Sequence, residues 1–468
     1  MGIAVRDVVI RALVLFQVLC SMHYCQGYST YGNRRQLERL PERRSLSTAP
    51  NSTHGVVLRA SLIHRDCLQI KGTNTSRGRG LMEAMKQSRR RVTQLQKTSL
   101  TSPLSPFMGG AYLMQISFGT PPQQFTTVAD TGSDLNWVQC SPCTNNNCEL
   151  SNNVFNPDAS STYSQVLCTD PLCAIVGQES YQPSSCSMDG TCTYNDYLYG
   201  GGTSTGGDLA FDTVTLGGVP VPDIAFGCGT NQQGNFGDYI DGLTGLGRGS
   251  LSLPSQLSQH SVAEIFSYCL LDPASTSQST HSNLTFGDAA EHSAATYTPM
   301  LQNNRLPFFY YVGVTAVSIG GKPVSIPASA FQINQKTGQG GVILDSGTTF
   351  TLWTSAAFTP IVQAFRKQIK YPVARLPASY GLCYDTGVSR KSSLSFPKMV
   401  VQMTSNVNLE TPGSTLFQPV DVSGRYYCLT MGINSGFTII GNVQQSNHLV
   451  VYDVVNQRVG FQAMDCSK

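Results

Sequence analysis

Charge is scarce in this sequence. Of 468 residues only 13% are Asp, Glu, Lys or Arg, against 40% hydrophobic. That balance fits neither a long solvated helix nor a disordered chain. Lys and Arg are missing altogether between Lys97 and Arg248, an interval that holds 13 acidic residues. A nucleic-acid binder needs its basic residues on a folded face, so no nucleic-acid partner is expected. Apolar runs of membrane-spanning length are lacking too. The run at 12–20, behind Arg6 and Arg11, is too short to span a bilayer and reads as a secretory signal over 1–27. Arg6 stands where a myristoylation signal requires Ser or Thr, and the last residues, Met464 to Lys468, are polar. No membrane anchor is therefore expected. No His-Glu-x-x-His text occurs, which removes one common metalloprotease class.

The charge that is present is split. Residues 1–100 carry 17 basic and 5 acidic side chains, while residues 101–468 carry 14 and 23. A basic leader thus precedes an acidic remainder. It can be a solvated tail or a segment held by the acidic part. Residues 28–100 show no periodic strands, 81–91 could form a basic amphipathic helix, and 101–106 reads as a linker. From Tyr112 onward the text changes to short alternating runs broken by Gly and Pro, with Gly at 44 residues in all. Strands are expected at 112–118, 125–129, 211–216, 309–319 and 342–345, and helices at 255–266 and 358–369. Strand-rich text with few short helices predicts an all-β fold.

Cysteine is abundant, at 15. Cys20, Cys25 and Cys67 fall in the leader. The other twelve are Cys140, Cys143, Cys148, Cys168, Cys173, Cys186, Cys192, Cys228, Cys269, Cys383, Cys428 and Cys466. An even set behind a secretory signal reads as disulfides rather than a zinc site, so no metal and no cofactor is expected. Asn283 heads a glycosylation sequon in the folded region, and Asn51 and Asn74 head two more in the leader.

Two short texts carry chemistry: Val128-Ala129-Asp130-Thr131-Gly132-Ser133 and Ile343-Leu344-Asp345-Ser346-Gly347-Thr348. Each sets an Asp at an apolar strand end, then a small hydroxyl residue, then Gly. Glycine permits the close backbone approach of a tight loop. Hydroxyl and amide groups can then hold the carboxylate. Two such loops meeting face to face would bring two carboxyls into contact, where one proton is shared between them. Asp385-Thr386-Gly387 repeats the triplet but follows Cys383-Tyr384 and precedes Val388, so it reads as a surface turn. Gly202-Thr203-Ser204-Thr205-Gly206 matches the serine-hydrolase elbow, yet a strand is expected after it where that elbow needs a helix.

Taken in order, these texts resemble the nepenthesin-type branch of the plant pepsin-like aspartic proteases. The likeness runs from about Tyr112 to Cys466 and includes Trp137, Tyr199-Gly200, Phe226-Gly227-Cys228-Gly229, Asp241-Gly242-Leu243-Thr244-Gly245-Leu246-Gly247-Arg248, Ile439-Ile440-Gly441-Asn442 and Val451-Tyr452-Asp453. Leu62-Ile63-His64-Arg65-Asp66 resembles the family's inhibitory propeptide. The resemblance implies a bilobal pepsin-like fold with a central cleft, one lobe at 108–300 and the other at 301–468, behind a propeptide and linker at 28–107. It implies a secreted aspartic endopeptidase made as a zymogen and working in acid through Asp130 and Asp345. Aspartic proteases are the established example of a carboxyl pair sharing a proton. Gly132, Ser133, Gly347 and Thr348 would support the carboxyls, and Tyr199 and Gly200 would form a flap, with Trp137 bonded to the flap tyrosine. Gly201 departs from the Asp that many relatives carry there. The implied bridges are Cys140–Cys143, Cys148–Cys228, Cys168–Cys192, Cys173–Cys186, Cys269–Cys466 and Cys383–Cys428. An extended peptide or protein substrate, its own propeptide and a monomeric state follow from the same resemblance. Delivery is expected to the cell exterior (apoplast), with vacuole or plastid as the alternative. An inactive pepsin-fold binding protein of the xylanase-inhibitor kind is the rival reading. The two complete Asp texts separate the readings.

Overall fold

The computed structural model describes residues 58–64, 110–143, 153–179, 183–200, 202–234, 236, 240–272, 281–387 and 394–466. Alternation in the sequence becomes burial. In Tyr112–Phe118 the residues Tyr112, Met114, Ile116 and Phe118 enter one core, while Leu113 on the opposite face joins Leu135 and Trp137 in another. Gln115 and Ser117 remain half-buried, because that face meets solvent toward the strand's end. Strands dominate, and the longest α-helix among the described residues is Ser355–Gln368. The fold is all-β, built as two lobes.

Each half uses one device twice. Gln123–Asp130 lies parallel to Gly242–Gly245, with Gly245 opposite Asp130. Val342–Leu344 lies parallel to Thr438–Ile440, with Leu344 opposite Ile440. Each catalytic-type Asp therefore sits where a buried strand ends beside a parallel partner. A further set of strands joins the halves. Ile265–Cys269 pairs with His448–Asp453, which pairs with Arg458–Ala463, which in turn pairs with Thr296–Leu301.

Several expectations change. The helix expected at 255–266 is only Leu253–Ser258, and Ile265–Cys269 is a strand. Ser261 adopts a left-handed φ of 62°, which stops the helix, and pairing of Phe266 with Tyr452 draws the chain beyond it into a sheet. The strand expected at 309–319 divides at Gly313 into Tyr310–Val312 and Val314–Ile319, because the two parts pair in different sheets, with Val342–Leu344 and with Met399–Met403. The leader, expected to lack strands, contains Leu58–His64, which pairs antiparallel with both His281–Phe286 and Tyr112–Phe118. Its order comes from these non-local partners rather than from its own alternation. The helix expected at 81–91, the linker at 101–106, Cys148, Asn51, Asn74 and Gly201 lie outside the described residues. Asn283 is exposed on His281–Phe286.

Two bridges stand as expected, Cys269–Cys466 and Cys383–Cys428. The others are re-paired. Cys140 bonds to Cys228, not to Cys143, and Cys228 is thereby closed to Cys148. Parallel pairing of Trp137–Gln139 with Gly227–Gly229 sets the two cysteines side by side at a Cα separation of 5.2 Å. Cys143 is disulfide-bonded as well. Cys173 bonds to Cys192 and Cys168 to Cys186. Burial sorts these four: Cys173 and Cys192 both face the core, whereas Cys186 is exposed and Cys168 half-buried. Cys186 and Cys192 oppose each other across a strand pair but each bonds elsewhere.

Non-reducing peptide mapping is expected to recover Cys140–Cys228 and Cys173–Cys192 as linked peptides. Replacing Cys269 and Cys466 together by Ser opens a link across a sequence separation of 197. That change is expected to cost about 3–5 kcal/mol of unfolding free energy in a denaturant melt.

Candidate active site

The two Asp texts meet as mirror-like loops. Gly132 N–H donates to Asp130 Oδ1 at 3.0 Å and Ser133 Oγ to Asp130 Oδ2 at 2.5 Å. Opposite, Gly347 N–H donates to Asp345 Oδ1 at 2.8 Å, Thr348 N–H to the same oxygen at 3.2 Å, and Thr348 Oγ1 to Asp345 Oδ2 at 2.6 Å. Each carboxyl thus receives one hydroxyl and at least one amide, and both Asp residues are buried. Such donors favour the charged form of a carboxyl that burial would otherwise disfavour.

Across the centre the loops clasp each other. Thr131 N–H donates to Ser346 Oγ at 3.0 Å, and Ser346 N–H donates to Thr131 Oγ1 at 2.9 Å. Each hydroxyl then reaches through to the opposite strand: Ser346 Oγ donates to Ala129 C=O at 2.8 Å, and Thr131 Oγ1 to Leu344 C=O at 3.4 Å. The small hydroxyl residue between Asp and Gly therefore serves the partner loop rather than its own carboxyl. Asn442 adds a brace, its Nδ2 donating to Ser346 C=O at 2.8 Å and to Gly110 C=O at 2.7 Å.

Buried tyrosines back the clasp. The Tyr452 hydroxyl hydrogen-bonds to the Thr131 side chain and, at 2.8 Å, to the Tyr268 hydroxyl. Tyr268 donates to Gln445 Oε1 at 2.5 Å. Burial pushes both phenols above their ordinary value, so they stay neutral through the acid and neutral range.

Relatives of known class place the chain in a family. A family model described as xylanase inhibitor N-terminal matches residues 112–288, and one described as xylanase inhibitor C-terminal matches residues 309–463. Aspartic proteinase nepenthesin-1 of Nepenthes gracilis is 39% identical over 84% of this chain and 88% of its own. Aspartyl protease family protein 2 of Arabidopsis thaliana is 36% identical over 76% of this chain and 71% of its own. The chain belongs to the pepsin-like aspartic proteases of plants. Its enzyme class is accordingly that of an aspartic-type endopeptidase. In fold alone it also resembles the crystal structure of edgp, with TM-score 0.62 at 21% identity over 89% of this chain and 97% of that one. Basic 7S globulin from soybean gives 0.58 at 20% identity, over 88% and 97%.

In this protease the hairpin expected as a flap is Cys192–Tyr199 and Thr203–Leu216, with Gly200 in its turn. Tyr199 and Trp137 are both buried, and their rings approach at 6.5 Å. The expected hydrogen bond is not made: Trp137 Nε1 has no partner among the described residues. Phe236 packs its ring edge-on against both, at 5.0 Å from Trp137 and 6.1 Å from Tyr199. The two decoy texts lie elsewhere. Ser204 is inside the strand Thr203–Leu216. Asp385 pairs with Arg425 through Nε at 2.8 Å and Nη2 at 2.6 Å, and these bonds hold its carboxyl below the usual range.

Sequence reasoning missed three features of the site. One is the helix Pro171–Glu179 in the cysteine-rich stretch from Cys140 to Cys192, which resembles an insertion of the nepenthesin-type branch. The others are the carboxyl of Asp134, near Asp130, and that of Glu179, near Asp134. The only sequence signal for Asp134 is its place four residues after Asp130, and Glu179 carries none.

The protease variant Ser346→Ala strips Thr131 N–H of its acceptor and Ala129 C=O of its donor. An unfolding free energy lower by about 2–4 kcal/mol is expected from two buried groups left unpaired. A calorimetric or denaturant melt measures it.

Proposed function

We propose that this protease hydrolyses peptide bonds in acid through a water held between Asp130 and Asp345, and that it is made as a secreted zymogen. The observation that carries the reading is the matched hydrogen-bonding of the two carboxyls on clasped loops. With one proton between them, the ionised carboxyl takes a proton from the water as its oxygen attacks the peptide carbonyl. The other gives its proton to the carbonyl oxygen. Collapse of the tetrahedral diol then breaks the C–N bond, and the amine leaves with a proton returned from the pair. No covalent enzyme intermediate forms. The flap hairpin would cover an extended peptide and exclude water. Ionisation of both carboxyls destroys the working state, so activity should fall toward neutral pH.

The leader strand supports the zymogen reading. Leu58–His64 occupies a place between His281–Phe286 and Tyr112–Phe118, held by main-chain pairing. By sequence the leader is basic, 17 basic to 5 acidic over residues 1–100, and the remainder acidic, 23 acidic to 14 basic, an attraction that acid would weaken as carboxylates protonate. The signal-like run at 12–20 and the disulfides support export to the cell exterior. Among the described residues no helix is long and apolar enough to cross a membrane. The binding-protein reading draws on the names of the matched family models, but it gives no role to two fully supported carboxyls.

The test is digestion of a denatured protein between pH 3 and 7. Asp130→Asn and Asp345→Asn are each expected to lose at least about 10²–10⁴ in rate, the scale of a lost acid or base. Pepstatin should inhibit the wild type. A folded, processed wild type that cleaves nothing at any pH would favour the binding-protein reading. A second expectation concerns the leader. A peptide spanning 28–107 should inhibit the processed enzyme near neutral pH and release it in acid, and the same peptide lacking 58–64 should not inhibit.

A further inference from the structure

Beside the dyad, carboxyls from two separate elements meet. Asp134 is buried, and its Oδ1 accepts from Gly249 N–H at 2.8 Å. Its Oδ2 and the Oε1 of Glu179, the last residue of the insert helix, lie over the same α-carbon. A β-carbon on Gly249 would stand 2.3 Å from the first and 2.6 Å from the second. Only glycine fits at 249, and the two acids crowd one spot. Glu179 Oε2 is closed to solvent and has no hydrogen-bond partner among the described residues. A charged oxygen in that position is costly. One proton held between the carboxyls would remove the repulsion and reduce the charge left on that oxygen.

The junction ties together the parts that must hold the site. The Asp134 backbone hydrogen-bonds to the Tyr197 hydroxyl, on the flap strand two residues before Tyr199. The insert helix is linked to the start of the same strand by Cys173–Cys192. The groups facing the pair are Asp130, Arg248, Tyr197 and Tyr310. Arg248 does not neutralise the pair outright, since its guanidinium donates to Gln457 Oε1 at 2.9 Å.

We propose that Asp134 and Glu179 share one proton and so form an acid-dependent lock that positions the insert helix and the flap strand against the Asp130 loop. The lock deepens the acid-protease reading and rests on it for its catalytic consequence. Burial is the largest cause raising Asp134 to about 7, opposed by the Gly249 N–H, with smaller effects from Asp130 upward and Arg248 downward. Glu179 is raised well above its ordinary value by burial first and by Asp134 second. A carboxyl raised in the folded state contributes stability that is full below its unfolded value and is lost as pH rises through the folded one. The lock therefore holds in acid and opens as pH approaches about 7, the value to which Asp134 is raised.

Hydrogen exchange and melting temperature of the full chain, measured from pH 4 to 8, test the proposal. Corrected for intrinsic rates, exchange over 171–179 and 192–199 is expected to rise at least about tenfold in the wild type between pH 5 and 8, the factor of one pKa unit. In Glu179→Gln the amide can donate to Asp134 without a shared proton, so the rise should shrink to less than about twofold by the same reasoning. The alkaline limb of kcat/KM should move to higher pH in that variant. If Glu179→Gln does not fold, Asp134→Asn is read in the same way. Wild-type exchange and melting that do not change with pH, or a variant that matches the wild type throughout, would overturn the lock. Exchange needs no substrate, so a wild type without peptidase activity would overturn the catalytic reading and leave the lock to stand or fall on its own data.

Discussion

Four hydrogen bonds at the meeting of Thr131 and Ser346 set what the rest of the molecule must achieve. Each residue gives its N–H to the other's hydroxyl, and each hydroxyl reaches the opposite strand's carbonyl. None of these groups can find water in the buried centre, so the halves must approach in one register or leave several polar groups unpaired. Asp130 and Asp345 are adjacent in sequence to the clasp and inherit its geometry. Preorganisation of the carboxyls is thus a consequence of how the two lobes are joined.

That joining is spread across the structure. Strands of both halves pair directly, as Ile265–Cys269 does with His448–Asp453. Phe266 stacks on Tyr452 at 4.6 Å with rings nearly parallel, and Tyr310 sends its hydroxyl to Leu246 C=O at 2.8 Å. The same sheet accepts Leu58–His64 from the leader. Electrostatics adds to this, with a basic leader set against an acidic remainder that has no Lys or Arg from 98 to 247.

Much of the fold was legible because one face of a strand in a two-layer β protein must alternate. Tyr112–Phe118 matched its expected bounds, and Ser355–Gln368 lay within a turn of its expected place. Failures had a common cause. Residues 265–269 and 58–64 take strand structure from partners far away in sequence, which local pattern does not encode. The insert cysteines failed similarly. Their pairing followed burial and strand neighbours, with Cys173 and Cys192 inside and Cys186 outside, and sequence spacing carries neither. At the site, the Trp137–Tyr199 pair was legible as a contact, but not its tilted ring geometry or the edge-on packing of Phe236 against both rings.

The sequence by itself determined the chemistry. Two Asp-hydroxyl-Gly texts at apolar strand ends, each followed by a second hydroxyl residue, specify tight loops in which the Gly amide and that following hydroxyl turn on the carboxyl. It also separated the true loops from Asp385, which lacks the apolar lead and the following hydroxyl. Only the tertiary structure decided that Thr131 and Ser346 serve each other's loop, that Cys140 meets Cys228, and that Asp134 meets Glu179 over Gly249. Each of these is an encounter between residues tens to hundreds of positions apart, fixed by how strands align and layers pack, and no local pattern specifies which distant atom fills a given space.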